Sequence, residues 1–189
     1  TCGGADRGDN QRRYLLSPEA PKLAIIGGPL CSGKTSTARA LFYRLEHSAW
    51  LEGDEVWWVK PPPAEDVQED AITDNIALVL RRYLRLGYAH VLLSWFLPHT
   101  RVLRKILDGI GRDLPYDLYL VTLKAGRKTL LERSRLRDPG YVPPDGLLAS
   151  ERDYPSLVLD TEGRTSDQVV GQIAEFLRGP ANANPSSFQ

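Results

Sequence analysis

"KLAIIGGPLCSGKTSTARALFYRLE", residues 22 to 46, decides how the rest of the chain is read. It opens with an apolar run bounded by glycine, the pattern of a strand buried on both faces. It closes with a helical segment, from about Gly33 to Glu46. Between them Gly28, four residues, and then Gly33, Lys34 and Thr35 match the spacing G-x-x-x-x-G-K-[ST]. Glycine at 28 and 33 permits backbone dihedrals and close approaches that a side chain would block. The loop Gly28-Pro29-Leu30-Cys31-Ser32-Gly33 can then turn successive N–H groups inward as an anion-binding nest. The following helix aims its positive end at the same anion. Lys34 would reach the β- and γ-phosphates of a nucleoside triphosphate, and the Thr35 hydroxyl would ligate Mg2+. The cradle as a whole runs from Gly28 to Ser36. A glycine-rich turn with a solvated lysine is the plainer reading, but a strand before and a helix after favour the phosphate loop.

A length of 189 residues suits one well-buried domain. With 24 basic and 24 acidic residues, there is no global electrostatic case for nucleic acid or an anionic membrane as partner. No long uncharged apolar run spans a bilayer, and the opening residues lack the hydrophobic centre of a signal peptide. The only cysteines are Cys2, in an expected tail, and Cys31, inside the phosphate loop. A disulfide between them is not expected, and a reducing cytoplasm fits. Three scattered histidines with two cysteines make no zinc pattern, and no "GxSxG" string points to hydrolase chemistry.

Residues 1–20 read as a flexible tail in which Tyr14, Leu15 and Leu16 pack on the domain edge. Residues 21–179 form the domain, with a lid at about 133–153, and 180–189 form a second flexible tail. Inside the domain short apolar runs alternate with helical segments. "SAWLEGDEV" is a strand ending in acids, and prolines exclude a regular element from "KPPPAED". Ile72, Ile76, Val79, Leu80, Tyr83 and Leu84 recur at helical spacing up to Gly87. "AHVLLSWFL", "YDLYLVTLK" and "SLVLDT" read as further strands. "TRVLRKILDGI", "GRKTLLERSRLRD" and "TSDQVVGQIAEFLRG" read as helices, the last with Thr165 and Gln168 as a capping box. Such alternation implies an α/β fold with a parallel sheet and helices on both faces. Ligands bind these sheets at the carboxyl ends of the strands, so the residues after each strand are the ones to inspect.

After the second strand stand Glu52, Gly53, Asp54 and Glu55. A phosphoryl transferase needs a carboxylate there to orient or deprotonate the attacking hydroxyl, or to hold Mg2+ through water. Asp54 is assigned to that role, with Glu55 second. The third strand ends in Ser94 and Trp95 without an acid, which argues against a nucleotide-hydrolysing motor and leaves Mg2+ to Thr35 and Asp54. No guanine-reading "NKxD" string is present. Arg133 and Arg137 lie one helical turn apart and can clamp phosphate oxygens. The proline- and glycine-rich flap that follows suits a closing lid, with Arg127, Arg135 and Arg152 as weaker candidates. Trp57, Trp58 and Trp95 stand near the same edge, either as cover or as the wall of an acceptor pocket.

With these residues in place, the chain resembles the small P-loop kinases that phosphorylate metabolites. That group includes shikimate and gluconate kinases, adenylylsulfate kinase and chloramphenicol phosphotransferase-like proteins. The resemblance rests on "GGPLCSGKT", "WLEGDEVWW", "LLERSRLRD" and "LVLDTEGRTSDQVVGQIAEFL", and covers about Lys22 to Arg178. "ITDNIALVLRRYL" and "VLLSWFLPH" add a similarity to uncharacterised bacterial nucleotide-binding proteins of the superfamily. The resemblance implies a five-stranded parallel sheet in the order 2-3-1-4-5, a three-layer P-loop NTPase sandwich with a lid. It also implies ATP as donor, Mg2+, and a loop at Gly163 and Arg164 beside the adenine. The tryptophan pair after Asp54 departs from the best-known members.

The function expected is transfer of the ATP γ-phosphate to a hydroxyl of a small molecule. Asp54, Glu55, Trp57, Trp58 and Trp95 would face the acceptor. Two other readings stay open: a nucleotide-dependent binding or regulatory module, and a nucleic-acid end kinase. The acceptor, ATP against GTP, and monomer against homodimer are left open by the sequence.

Overall fold

The computed structural model describes residues 19–149 and 152–188, apart from the side chains of Glu65 and Asp66. Cys2 and the expected packing of Tyr14, Leu15 and Leu16 lie outside the described residues. The alternation read from the sequence produces β1 (Lys22–Gly27), α1 (Lys34–Arg44), β2 (Ser48–Glu52), α2 (Glu65–Arg85) and β3 (His90–Ser94). It continues with α3 (Thr100–Ile110), β4 (Asp117–Lys124), α4 (Arg127–Arg137), α5 (Asp145–Leu148), β5 (Leu157–Asp160) and α6 (Ser166–Phe176). Single 3-10 turns occupy Gly53–Val56 and Pro185–Phe188. The strands pair in parallel in the order β2-β3-β1-β4-β5, as the resemblance implied.

β1 lies at the centre, and its alternate residues feed two cores. Leu23 and Ile25 join Ile76, Leu80, Leu103 and Ile106 beneath α2 and α3. Ala24 and Ile26 join Ala38, Leu41, Val170 and Ile173 beneath α1 and α6. A strand buried on both sides has no polar face, which is why "KLAIIG" runs apolar after its first residue. The capping box forms on α6: Gln168 N donates to Thr165 Oγ1 at 3.3 Å, and Thr165 N donates to Gln168 Oε1 at 2.9 Å.

The C-terminal segment corrects an expectation, for it is packed along the sheet rather than left as a flexible tail. β5 pairs only with Val121–Lys124, so the first half of β4 has an open edge. Unpaired strand groups require partners, and the chain end supplies them. Ala183 bridges Leu118 in antiparallel fashion. Leu120 N donates to Asn182 Oδ1 at 2.9 Å, and Asn182 Nδ2 donates to Leu120 O at 3.0 Å. Phe188 is buried against the α2–α3 core, and its carbonyl accepts from Arg104.

The short helix α5 sits close to the phosphate loop. Leu148 packs with Ala125 and Leu130, Leu30 N donates to Leu147 O at 2.7 Å, and Arg127 pairs with Asp145 at 2.7 Å.

Candidate active site

At the carboxyl edge of the sheet lies a cavity of about 550 Å3 lined by residues 30–37, by Glu52 and Asp54, and by Arg133, Arg137 and Arg164. Its floor is the loop between β1 and α1. Gly28 has φ 146°, and a Cβ there would lie 2.4 Å from Leu123 O and 2.7 Å from Ser32 Oγ. Only glycine fits that approach. Gly33, at φ 97°, starts α1, which has no side-chain cap and no acid in its first turn. The positive end of α1 therefore opens onto the cavity without an anion of its own. Ser32 Oγ is buried with no partner among the described residues. Lys34 Nζ donates to Pro29 O at 2.9 Å, and burial holds its pKa down at about 8, with Glu52 and Asp54 opposing. An unpartnered hydroxyl, an uncapped helix and a half-buried amine around one cavity fit a phosphate chain.

The facing wall is made of carboxylates. Glu52 ends β2 directly opposite Ser94 of β3. Ser94 Oγ donates to Glu52 Oε2 at 2.9 Å and accepts from Trp50 Nε1 at 2.8 Å. Burial pushes the Glu52 carboxyl up, while hydrogen bonds with Thr35 and Ser94 oppose the shift. Sequence reasoning passed over Glu52 in favour of Asp54. The strand-end rule does include it, and the ladder between β2 and β3 carries it to the end of the strand that lacks an acid. Asp54 follows in the 3-10 turn, exposed, with Oδ1 accepting from Trp95 Nε1 at 2.9 Å. No group of three or more His, Cys, Asp or Glu is arranged to hold a metal among the described residues. The cavity does offer the Thr35 hydroxyl and two carboxylates, hard oxygen donors that suit Mg2+ when phosphate and water complete the shell.

The arginines of α4 approach the same cavity. Arg133 Nη1 donates to Thr161 Oγ1 at 2.9 Å and Cys31 O at 3.4 Å, and Nη2 donates to Thr161 O at 3.0 Å. It thus ties α4 to both the exit of β5 and the phosphate loop. Arg137 lines the same cavity. Gly163, at φ 66°, turns the loop after β5, and Arg164 lines the cavity while donating to Gln172 Oε1 at 2.5 Å. Arg152 lies over the Phe96 ring at 5.3 Å, and its charge reaches Lys34.

Other predicted positions are not brought to this cavity. Trp58 is 81% exposed, and its Nε1 donates to Glu55 Oε2 at 3.3 Å. Trp57 is half-buried, its Nε1 without a partner among the described residues. Gly28 and Pro29 shape the loop from beneath rather than line the opening.

No protein-family model matches the chain. No curated protein matches it either. Solved structures do. A sugar kinase from a Janibacter species superposes with a TM-score of 0.66 at 17% identity, over 84% of this chain and 95% of that one. A gluconokinase from Sinorhizobium meliloti gives 0.60 at 18% identity, over 85% and 97%. An APS kinase from Mycobacterium tuberculosis, solved in complex with AMPPNP and APS, gives 0.61 at 18% identity, over 86% and 100%. At these identities the likeness concerns the backbone, and with the strand order it makes the fold of this chain that of the small P-loop metabolite kinases.

Proposed function

We propose that this protein is an ATP-dependent kinase that phosphorylates a hydroxyl of a small molecule. One observation carries the reading: the uncapped α1, the half-buried Lys34 and the unpartnered Ser32 share a single cavity with two carboxylates at the end of β2. A nest for phosphates faces acids, which is what transfer to a hydroxyl requires and what a binding module does not.

In this reading residues 28–36 cradle the triphosphate, and Gly163 and Arg164 border the base. Thr35 with Glu52 and Asp54 would hold Mg2+, whose charge would offset that of the phosphates. Asp54 orients the acceptor hydroxyl and receives its proton. Lys34, Arg133 and Arg137 stabilise charge on the group in transit, so positioning and electrostatics supply most of the rate. Trp95 borders the acceptor, with Glu55, Trp57 and Trp58 at the outer rim. Cys31 is a free thiol in the cradle, which suits a reducing compartment such as the cytoplasm.

The test is ATP consumption with Mg2+ across nucleosides, sugars, sugar acids and phenolic or aminocyclitol compounds, with 31P NMR on each hit. Acceptor-dependent ADP and a new phosphate ester, both lost in Asp54→Ala, are expected. Turnover that survives in purified Asp54→Ala removes that residue from the mechanism. Nucleotide binding with no transfer to any hydroxyl favours a binding module.

A further inference from the structure

Two features near the acids are not explained by a bordering wall: the glycine at 53 and the indole N–H of the tryptophan that follows β3. Gly53 does not adopt the left-handed region, so turn geometry does not require glycine there. A Cβ at Gly53 would lie 2.4 Å from Trp95 Cγ, 2.6 Å from Cδ1 and 2.7 Å from Cβ. The indole therefore rests directly on the backbone of residue 53. The residue also packs against the α2–α3 core, and Trp95 N donates to Ile26 O of β1 at 3.3 Å. The residue is thus held at its backbone and against residue 53. From that position Nε1 donates to Asp54 Oδ1 at 2.9 Å.

We propose that Trp95 is a positioning residue whose indole N–H fixes the Asp54 carboxylate, and that Gly53 is glycine so that the ring can reach it. The inference rests on the kinase reading given above. An aspartate on an exposed 3-10 turn samples several rotamers, and each misaligned one is unproductive. Holding Oδ1 leaves Oδ2 as the oxygen that meets the acceptor hydroxyl, since a carboxylate accepts at both oxygens. The strand end that lacks an acid thus supplies the group that steadies the acid of its neighbour. Glu52 is restrained by a parallel route, for Trp50 Nε1 donates to Ser94 Oγ, which donates to Glu52. Both acids that line the cavity are thus held by an indole, Asp54 directly and Glu52 through a serine. A mere acceptor wall would need neither the hydrogen bond nor the bare backbone at residue 53.

The pairing and its purpose are read by separate measurements. The chain has four tryptophans, so a 15N–1H spectrum has four indole signals, and Trp95→Phe assigns the relevant one by its loss. In Asp54→Ala that signal should shift upfield and its proton should exchange faster with solvent. An unmoved signal overturns the pairing whatever the enzyme's activity. For the purpose, Trp95→Phe keeps a ring over Gly53 and removes only the donor. Its kcat should fall about tenfold to a hundredfold, the size of effect that misplacing a reacting group produces. The KM for nucleotide should stay within about twofold, because the phosphate cradle is untouched. Gly53→Ala, which displaces the ring without substituting Trp95 or Asp54, should show the same loss. A raised acceptor KM at unchanged kcat in both variants makes Trp95 a wall and overturns the positioning role. Failure of the kinase reading looks different: wild type itself lacks acceptor-dependent turnover while the indole signal still responds to Asp54→Ala.

Discussion

The phosphate loop and the carboxylate wall face each other across one cavity, yet their polar groups are in opposite conditions. On the loop, Ser32 Oγ has no partner among the described residues, α1 has no side-chain cap, and Lys34 turns back on the Pro29 carbonyl of its own loop. On the wall, Trp50, Ser94 and Glu52 form a continuous chain, and Trp95 holds Asp54. Buried polar groups are ordinarily satisfied, so a cluster that is not marks a place where a ligand supplies the missing acceptors. The wall is complete beforehand, which suits acids that must stand still for a proton transfer. In the proposed kinase, the difference would separate binding from chemistry within one pocket.

Removing Lys34 strikes the incomplete side hardest. Lys34→Ala should lower kcat with the best acceptor by about a hundredfold to a thousandfold, the usual cost of losing one preorganised charge-stabilising group. The fold should persist, since a lysine whose pKa is depressed by burial does not stabilise the empty protein at neutral pH. Steady-state kinetics and a thermal melt check the two halves together. Unfolding of the variant would make Lys34 part of the scaffold and end the distinction between the two walls.

Glu52→Gln tests the complete side. The amide oxygen still accepts from Ser94, so the geometry survives while the charge does not. Turnover should drop about a hundredfold, in line with the loss of one electrostatic group. Stability should move the other way. A carboxyl whose folded pKa is raised favours folding below its ordinary titration and opposes it once pH exceeds the folded value. At pH 7 the variant removes that opposition, so Tm should rise. A lowered Tm would mean that the Ser94 bond outweighs the burial of the charge.

How far these regions are legible in sequence follows from the same contrast. The phosphate loop is local: the close approach at Gly28, the helix start at Gly33 and the amine at Lys34 are all written within eight residues. The parallel sheet follows from the alternation of apolar runs, and its strand order from the family resemblance. Glu52 stood at a legible strand end, but its restraint did not show, because Ser94 lies 42 residues away and meets it only through the register of β2 on β3. Trp95 read as an acceptor wall because its bond to Asp54 spans 41 residues. "PANANPSSFQ" carries no periodicity at all. Only the open half-edge of β4, 62 residues earlier, gives Asn182 its partners.

The pH dependence of the loop gives a smaller effect with two opposite signs. Between pH 8 and about 10.5, the ordinary lysine value, the unfolded chain binds more protons at Lys34 than the folded one does. Stability of the empty protein should therefore rise across that window through this group. Nucleotide affinity should fall over the same window, by up to about tenfold per pH unit, because phosphates favour the ammonium form. Binding at pH 8.5 should then take up a fraction of one proton. Calorimetric titration in two buffers of different ionisation heat measures it. Identical heats in both buffers would mean that Lys34 is not the amine that meets the phosphates.

The smallest effects come from one chemical change made on each wall. Ser32 and Ser94 are both 0% exposed, and alanine removes a single hydroxyl from each. Ser94→Ala strips partners from Glu52 and Trp50, and leaving buried groups unsatisfied costs about 1–3 kcal/mol. Its melting temperature should fall, and turnover should fall with it as Glu52 loses its restraint. Ser32→Ala removes a hydroxyl that has no partner in the empty protein, so its Tm should hold or rise slightly. Its cost should surface only when nucleotide binds, as a several-fold weaker affinity, the worth of about one hydrogen bond. Equal destabilisation by both changes would mean that the Ser32 hydroxyl is already satisfied within the folded chain. The loop would then be as complete as the wall, and its readiness for phosphate would rest on Lys34 and the α1 amides alone.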